Sequence, residues 1–107
     1  MRHLLILLLL AVWHYSAVVD DTMYPISGIL EIDSNNYAEF EDQIYNDIYL
    51  KCMTKRIPVY KESEIINNDF GYSYVEKKLT VGEYFKKYPD KRVKDIITIM
   101  SIDRLSD

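Results

Sequence analysis

A single cysteine, three glycines and three prolines in 107 residues leave this chain few of the devices by which small proteins hold their shape. One thiol, Cys52, cannot form an intramolecular disulfide, so the stapled frameworks common among small exported domains are excluded. The scarcity of Gly and Pro also excludes collagen-like and Pro/Gly-rich linker compositions. Histidine is scarcer still: His3 and His14 both lie near the N-terminus, and nothing after residue 14 carries an imidazole. The longest run without a polar residue is Leu4 to Trp13, ten residues, where a membrane-spanning helix needs roughly twenty.

That apolar run, preceded by Met1-Arg2-His3 and followed by Ser16-Ala17, has the form of a secretory signal peptide, whose apolar core runs to about 7–15 residues. The pattern predicts a leader at residues 1–17 and one domain at residues 18–107, working as a secreted or periplasmic protein. Tyr15 stands three residues before the cut, where a small side chain is preferred. Cleavage within Ser16 to Val19, or retention as a signal anchor, are therefore the alternatives, and membrane contact is expected only through an uncleaved leader. The remaining ninety residues suffice for one modest core.

Basic residues are missing from a long stretch. Between Val18 and Leu50 there are eight acids (Asp20, Asp21, Glu31, Asp33, Glu39, Glu41, Asp42, Asp47) and no Lys or Arg. The whole chain carries 13 basic and 17 acidic residues, a net negative balance that argues against nucleic acid as a partner. Such segregation gives an acidic front half and a mildly basic back half, whose field could orient an approaching protein.

What is abundant is tyrosine, ten in all, a residue with an apolar body and polar tip that suits half-wet interfaces. The local patterns predict a strand at Ile26 to Ile32 from its β-branched residues. They predict a helix from Tyr37 to Met53, because Tyr37, Phe40, Ile44, Ile48 and Cys52 recur at steps of three or four, with Asn36 and Glu39 forming a capping box. Pro58 restricts a strand at Arg56 to Lys61 to an edge or bulge. Ile65-Ile66 and Tyr72 to Glu76 flank the turn cluster Asn67 to Gly71 as hairpin partners. Thr80-Val81-Gly82-Glu83 is a second capping box, opening a short helix that ends before Pro89. The β-branched run Val93 to Ile102 reads as a buried strand, although Val93, Ile96, Ile97 and Met100 also fit helical spacing, which leaves a helix as the alternative. The fold expected is α+β: one main amphipathic helix packed on a small, mainly antiparallel sheet, plus a short second helix.

The chemistry that these residues exclude is broad. Without an imidazole in the mature domain there is no Ser-His or Cys-His pair and no histidine zinc ligand. Cys52 falls near a helix C-terminus, the wrong end to stabilise a thiolate. It reads as a core side chain, with an intermolecular disulfide, and so a homodimer, as the alternative. Glu39, Glu41 and Asp42 read as a solvated helix face rather than a paired-carboxylate site, and Asp20-Asp21 is too sparse for calcium. No catalytic residue, metal or cofactor is expected.

Tyr84, Phe85 and Tyr88 interleave with Lys86, Lys87, Lys91 and Arg92, and these seven are the candidate binding residues. Thr80 to Tyr88 also resembles a short stretch of PAZ domains, which hold RNA 3′ ends with aromatic residues. The likeness covers nine residues and conflicts with the net negative charge, and no function is carried over from it. The function expected is a non-enzymatic protein-binding module, such as an inhibitor, immunity-type or effector protein, presenting a charged, tyrosine-rich surface to another protein. A structural or envelope-associated protein, dimeric through Cys52 or held by its anchor, is the alternative.

Overall fold

The structure, a computed structural model, describes residues 10–33 and 39–106. Strand β1 (Leu10–Val19) turns through Asp20 to Met23 into β2 (Pro25–Asp33), and the two pair antiparallel from Leu10↔Asp33 to Val18↔Pro25. Met23 takes the left-handed conformation that the tight turn requires, and Val19 closes the turn by donating its N–H to Tyr24 O at 2.9 Å. The last strand, β5 (Ile97–Ser106), returns to pair antiparallel with the other edge of β1, so the order is β2-β1-β5 with β1 in the centre. A register shift between Ser16 and Ala17 leaves Met100 unpaired and exposed, as an extra residue in β5.

Alternation along β1 sends Ala11, Tyr15, Ala17 and Val19 to one buried face, joined by Ile26 and Ile32 of β2 and Ile97 of β5. Helix α1 (Phe40–Thr54) covers that face with Phe40, Ile44, Ile48 and Cys52, one buried residue per turn. Each of the larger side chains so buried contributes roughly 1.5–3 kcal/mol. Trp13 meets the edge of Phe40 with ring centroids 5.1 Å apart. Gly28 is pinned here by a close approach: a Cβ would lie 2.7 Å from Tyr15 Oη and 2.5 Å from its ring, so any other residue would displace the phenol.

After α1 the chain enters β3 (Pro58–Asn68), turns at Asp69-Phe70, and returns as β4 (Gly71–Thr80). Asn68 Oδ1 accepts from the Phe70 N–H at 2.9 Å, and Gly71 supplies the positive φ of the turn. These strands form a separate two-stranded sheet whose only buried side chains, Val59 and Leu79, lie at its base. Helix α2 (Val81–Lys87) follows, opened by Glu83 accepting from the Thr80 N–H at 3.2 Å and hydroxyl at 3.0 Å. One further turn, α3 (Val93–Ile96), leads into β5. The hairpin leaves the body as an arm, and the molecule measures 77 × 23 × 19 Å.

The architecture corrects the expected one. It is mostly sheet, in two separate antiparallel sheets with short helices, and not a single main amphipathic helix on one small sheet. Two residue groups account for the difference. Leu10–Val19, read as part of a leader, is the central strand of one sheet, and Pro58 to Glu76, read as short fragments, belongs to a hairpin reaching Thr80. Helix α1 is also less amphipathic than its spacing suggests, because Leu50 and Met53 are exposed on its far side. Of its expected start, Asn36 and Tyr37 lie outside the described residues, and Glu39, now the N-cap, makes no capping bond through its side chain. The expected strand at Val93 begins four residues later, since Asp95 caps Arg92 N at 2.8 Å and winds one helical turn first.

Candidate functional site

The seven candidate residues divide sharply. Tyr84 is buried at 6% exposure, and Phe85 and Tyr88 are half-buried against the core. Capping at Thr80 sets the phase of α2, so that Val81 and Tyr84 turn inward while Lys86 and Lys87 turn outward. Tyr60 of β3 completes an aromatic cluster, with ring centroids 5.3 Å from Tyr84 and 5.8 Å from Tyr88. Tyr84 lies 4.9 Å from Tyr88 and 5.4 Å from Phe85, which reaches Tyr49 of α1 at 6.2 Å. The cluster thus clamps the base of the hairpin to the body, and burial pushes the Tyr84 phenol above its ordinary pKa.

Lys87 is engaged in the same clamp. Its ammonium pairs with Glu62 of β3, which also accepts from the Tyr88 hydroxyl at 3.2 Å. The bond from Lys87 holds the Glu62 carboxyl below the usual range, and reciprocally Glu62 raises Lys87. Lys86, Lys91 and Arg92 are exposed; Lys86 lies by Glu62 and Lys77 at the foot of the arm, whereas Arg92 lies by Asp42 and Tyr45 of α1. A shallow charged hollow lined by Tyr60, Lys61, Glu62, Ser63, Lys77 and Lys87 opens at the base of the hairpin.

Cys52 is 1% exposed, and burial pushes its thiol up to about 11, which disfavours the thiolate, and the side chain has no path to a second chain while α1 is packed. A second polar constellation joins β1 to α1. Tyr15 Oη donates to Asp47 Oδ2 at 2.6 Å, and Lys51 Nζ reaches the same carboxylate at 2.6 Å and the phenol oxygen at 3.2 Å. Desolvation, reinforced by Asp47, drives the Tyr15 pKa far upward, so the phenol is a structural donor rather than a base. His14 is part-exposed on β1, paired in register with Ile29 and Asp103. No group of three or more potential metal ligands occurs among the described residues, and no described helix is long and apolar enough to cross a membrane.

The surface that the sequence did not single out is the arm itself. From Ser63 to Lys78 every residue is exposed, yet six are large and apolar. Phe70 at the turn is 102% exposed, Tyr72 78%, Tyr74 77% and Ile65 56%, with Ile66 and Val75 beside them. Register sorts them into two faces. One bears Lys61 and Lys78 at its base, then Ser63 and Glu76, Ile65 and Tyr74, and Asn67 and Tyr72 towards the tip. The other bears Glu62 and Lys77, Glu64 and Val75, then Ile66 and Ser73. The tyrosine pattern Tyr72-Ser73-Tyr74 was visible in the sequence; what it could not convey is that no other element covers these rings.

Comparison of the chain with protein families, with curated proteins and with solved structures finds no match.

Proposed function

We propose that the chain is a non-enzymatic protein-binding module whose contact element is the β3–β4 arm. The observation carrying this reading is the row of uncovered apolar side chains on a two-stranded ribbon. Contiguous exposed apolar surface of this kind marks interaction sites, and a lone hairpin is marginal in water unless something packs against it. The tyrosine-rich, charged surface expected from the sequence is kept, but its rings are Tyr72 and Tyr74 rather than the core residue Tyr84. Of the expected basic residues, Lys86 serves as its flank beside Lys77, and Arg92 lies away from the arm against α1.

The non-enzymatic character rests on a raised, buried thiol and on the scarcity of imidazole. Action outside the cytoplasm, as an inhibitor, immunity-type or effector protein, rests on the Met1 to Ala17 leader pattern and belongs to the same proposal. The envelope-associated alternative loses one of its supports, since a Cys52-linked dimer would require α1 to lift from the sheet.

Capture from native extracellular or periplasmic fluid tests the reading, using the full-length chain against a Tyr72→Ser/Tyr74→Ser variant. Loss of retained protein by about tenfold or more is expected, as for removal of aromatic anchors. Equal capture by a variant that melts like the wild type would sink it.

A further inference from the structure

We infer that the arm's partner is a second copy of this chain, the two arms stacking face to face and antiparallel about a twofold axis through the Ile65–Tyr74 pair. This rests on the reading of the arm as the contact element and names its occupant. The argument is self-complementarity, which a twofold interface demands because both copies contribute the same patch.

Consider the face bearing Lys61, Lys78, Ser63, Glu76, Ile65, Tyr74, Asn67 and Tyr72. Side chains on one face of a strand repeat every two residues, and each strand rises about 3.3 Å per residue. Turning this face onto its own copy about an axis across the strands at the Ile65–Tyr74 level sets β3 over β3 and β4 over β4. Ile65 then meets Ile65 of the second copy, and Tyr74 meets Tyr74. Two residues towards the base, Ser63 lies over Asn67 and Glu76 over Tyr72, whose hydroxyl can donate to the carboxylate. Four residues towards the base, Lys61 lies over Asp69 and Lys78 over the ring of Phe70, an ion pair and a cation–π contact. Every level offers a compatible pair, and no like charges face one another.

Charge along the arm agrees. Beyond the Ile65–Tyr74 level the arm's one charged residue is Asp69 at the turn, whereas the base of this face carries Lys61 and Lys78. Antiparallel stacking brings each acidic tip onto a basic base, while parallel stacking would oppose like charges. The opposite face is less suited, since Glu62 there is already committed to Lys87 and Tyr88. Area is adequate as well: Phe70, Tyr72 and Tyr74, at roughly 150–250 Å² each, approach the approximately 800 Å² per partner of a standard interface.

Sedimentation of the full-length chain over a concentration series decides the matter. A reversible dimer is expected, weakened by salt. Tyr74→Asp should return it to monomer with the melting temperature of the wild type diluted to monomer, because Tyr74 packs against nothing in the body. Asp69→Lys should weaken the dimer about tenfold, two ion pairs being reversed per dimer, and Lys61→Glu in the same chain should restore most of the loss. In a Cys52→Ser background, Ile65→Cys should be joined to its own copy by a short bis-maleimide that spans the roughly 10 Å between stacked faces, and Val75→Cys, on the other face, should not. A monomer at all concentrations, or a dimer indifferent to Tyr74 and Asp69, would overturn the inference. A monomer that still captures a different protein through Tyr72 and Tyr74 would overturn it while leaving the binding reading intact. A monomer with no arm-dependent capture would defeat both.

Discussion

The two sheets of this protein are built from similar lengths of strand and have opposite fates. In the body, β1 has a hydrogen-bonded neighbour on each edge and a helix over one face, and its odd-numbered side chains from Ala11 to Val19 are inward. In the arm, each strand has one neighbour, and beyond Val59, Tyr60, Glu62 and Leu79 at the foot neither face is covered. The body therefore carries the stability, and the arm is held by its foot: the aromatic clamp, the Glu62–Lys87 pair and the Thr80 cap. Apolar residues mean different things in the two places. Ile48 is where it is because water is excluded there, whereas Tyr74 and Phe70 remain in water, which leaves them available to a partner.

The largest break in this contrast comes from removing β1. A chain beginning at Val18 leaves β2 and β5 without the strand between them and α1 without Tyr15 and Ala17 beneath it. The loss exceeds the roughly 5–15 kcal/mol that holds a domain folded. Its thermal melt is expected to lose cooperativity; a melt matching the full-length chain would show that the body does not depend on β1. The same experiment bears on the leader, because an exported form cut after Ala17 would need a different sheet from the one described here.

A smaller effect separates core from arm. Ile48→Ala should cost about 2–5 kcal/mol through the cavity it leaves, whereas Ile66→Ala on the arm should fall within about 0.5 kcal/mol. Urea titration of both variants checks the pair, and equal losses would contradict the division. The smallest effect is at the foot. Glu62 titrates below its ordinary value, so what its pairing contributes is intact above the usual carboxylate range and lost as pH falls through its lowered folded pKa. Lys87 is raised, so its share is intact below the ordinary lysine value and lost as pH rises through its raised one. Amide exchange in β3 and β4, corrected for its intrinsic pH dependence, should accordingly quicken at both extremes, and Glu62→Gln should remove both limbs, because Glu62 is also what raises Lys87. An acid limb that survives Glu62→Gln would assign it to another group.

Local signals carried much of this into the sequence. The Thr80-to-Glu83 cap, the β-branched run at Ile26, the turn at Asn67 to Gly71 and the three-and-four spacing of α1 are each settled by neighbours in the chain, and each is found. Two features were hidden for opposite reasons. In β1, apolar Val12 and Val18 on the outer face mask the alternation, so the segment reads as the continuation of a leucine-rich leader. Its partner β5 also lies at the far end of the chain. In the arm there is no alternation to read, since neither face is buried, and Lys77-Lys78 inside a strand looks like the end of one. The candidate site suffered likewise: Tyr84, Phe85 and Tyr88 have the right composition for a surface, but capping at Thr80 rotates them into the body.

The pairing of Val12 with Ser106 has a kinetic side. A ladder joining the first described strand to the last cannot form until nearly the whole chain exists, whereas β3 and β4, separated by two residues, can zip locally within microseconds. During synthesis the arm would thus be shaped before the body that anchors it. Its uncovered rings would be on offer to a neighbouring nascent copy while β1 still waited for β5.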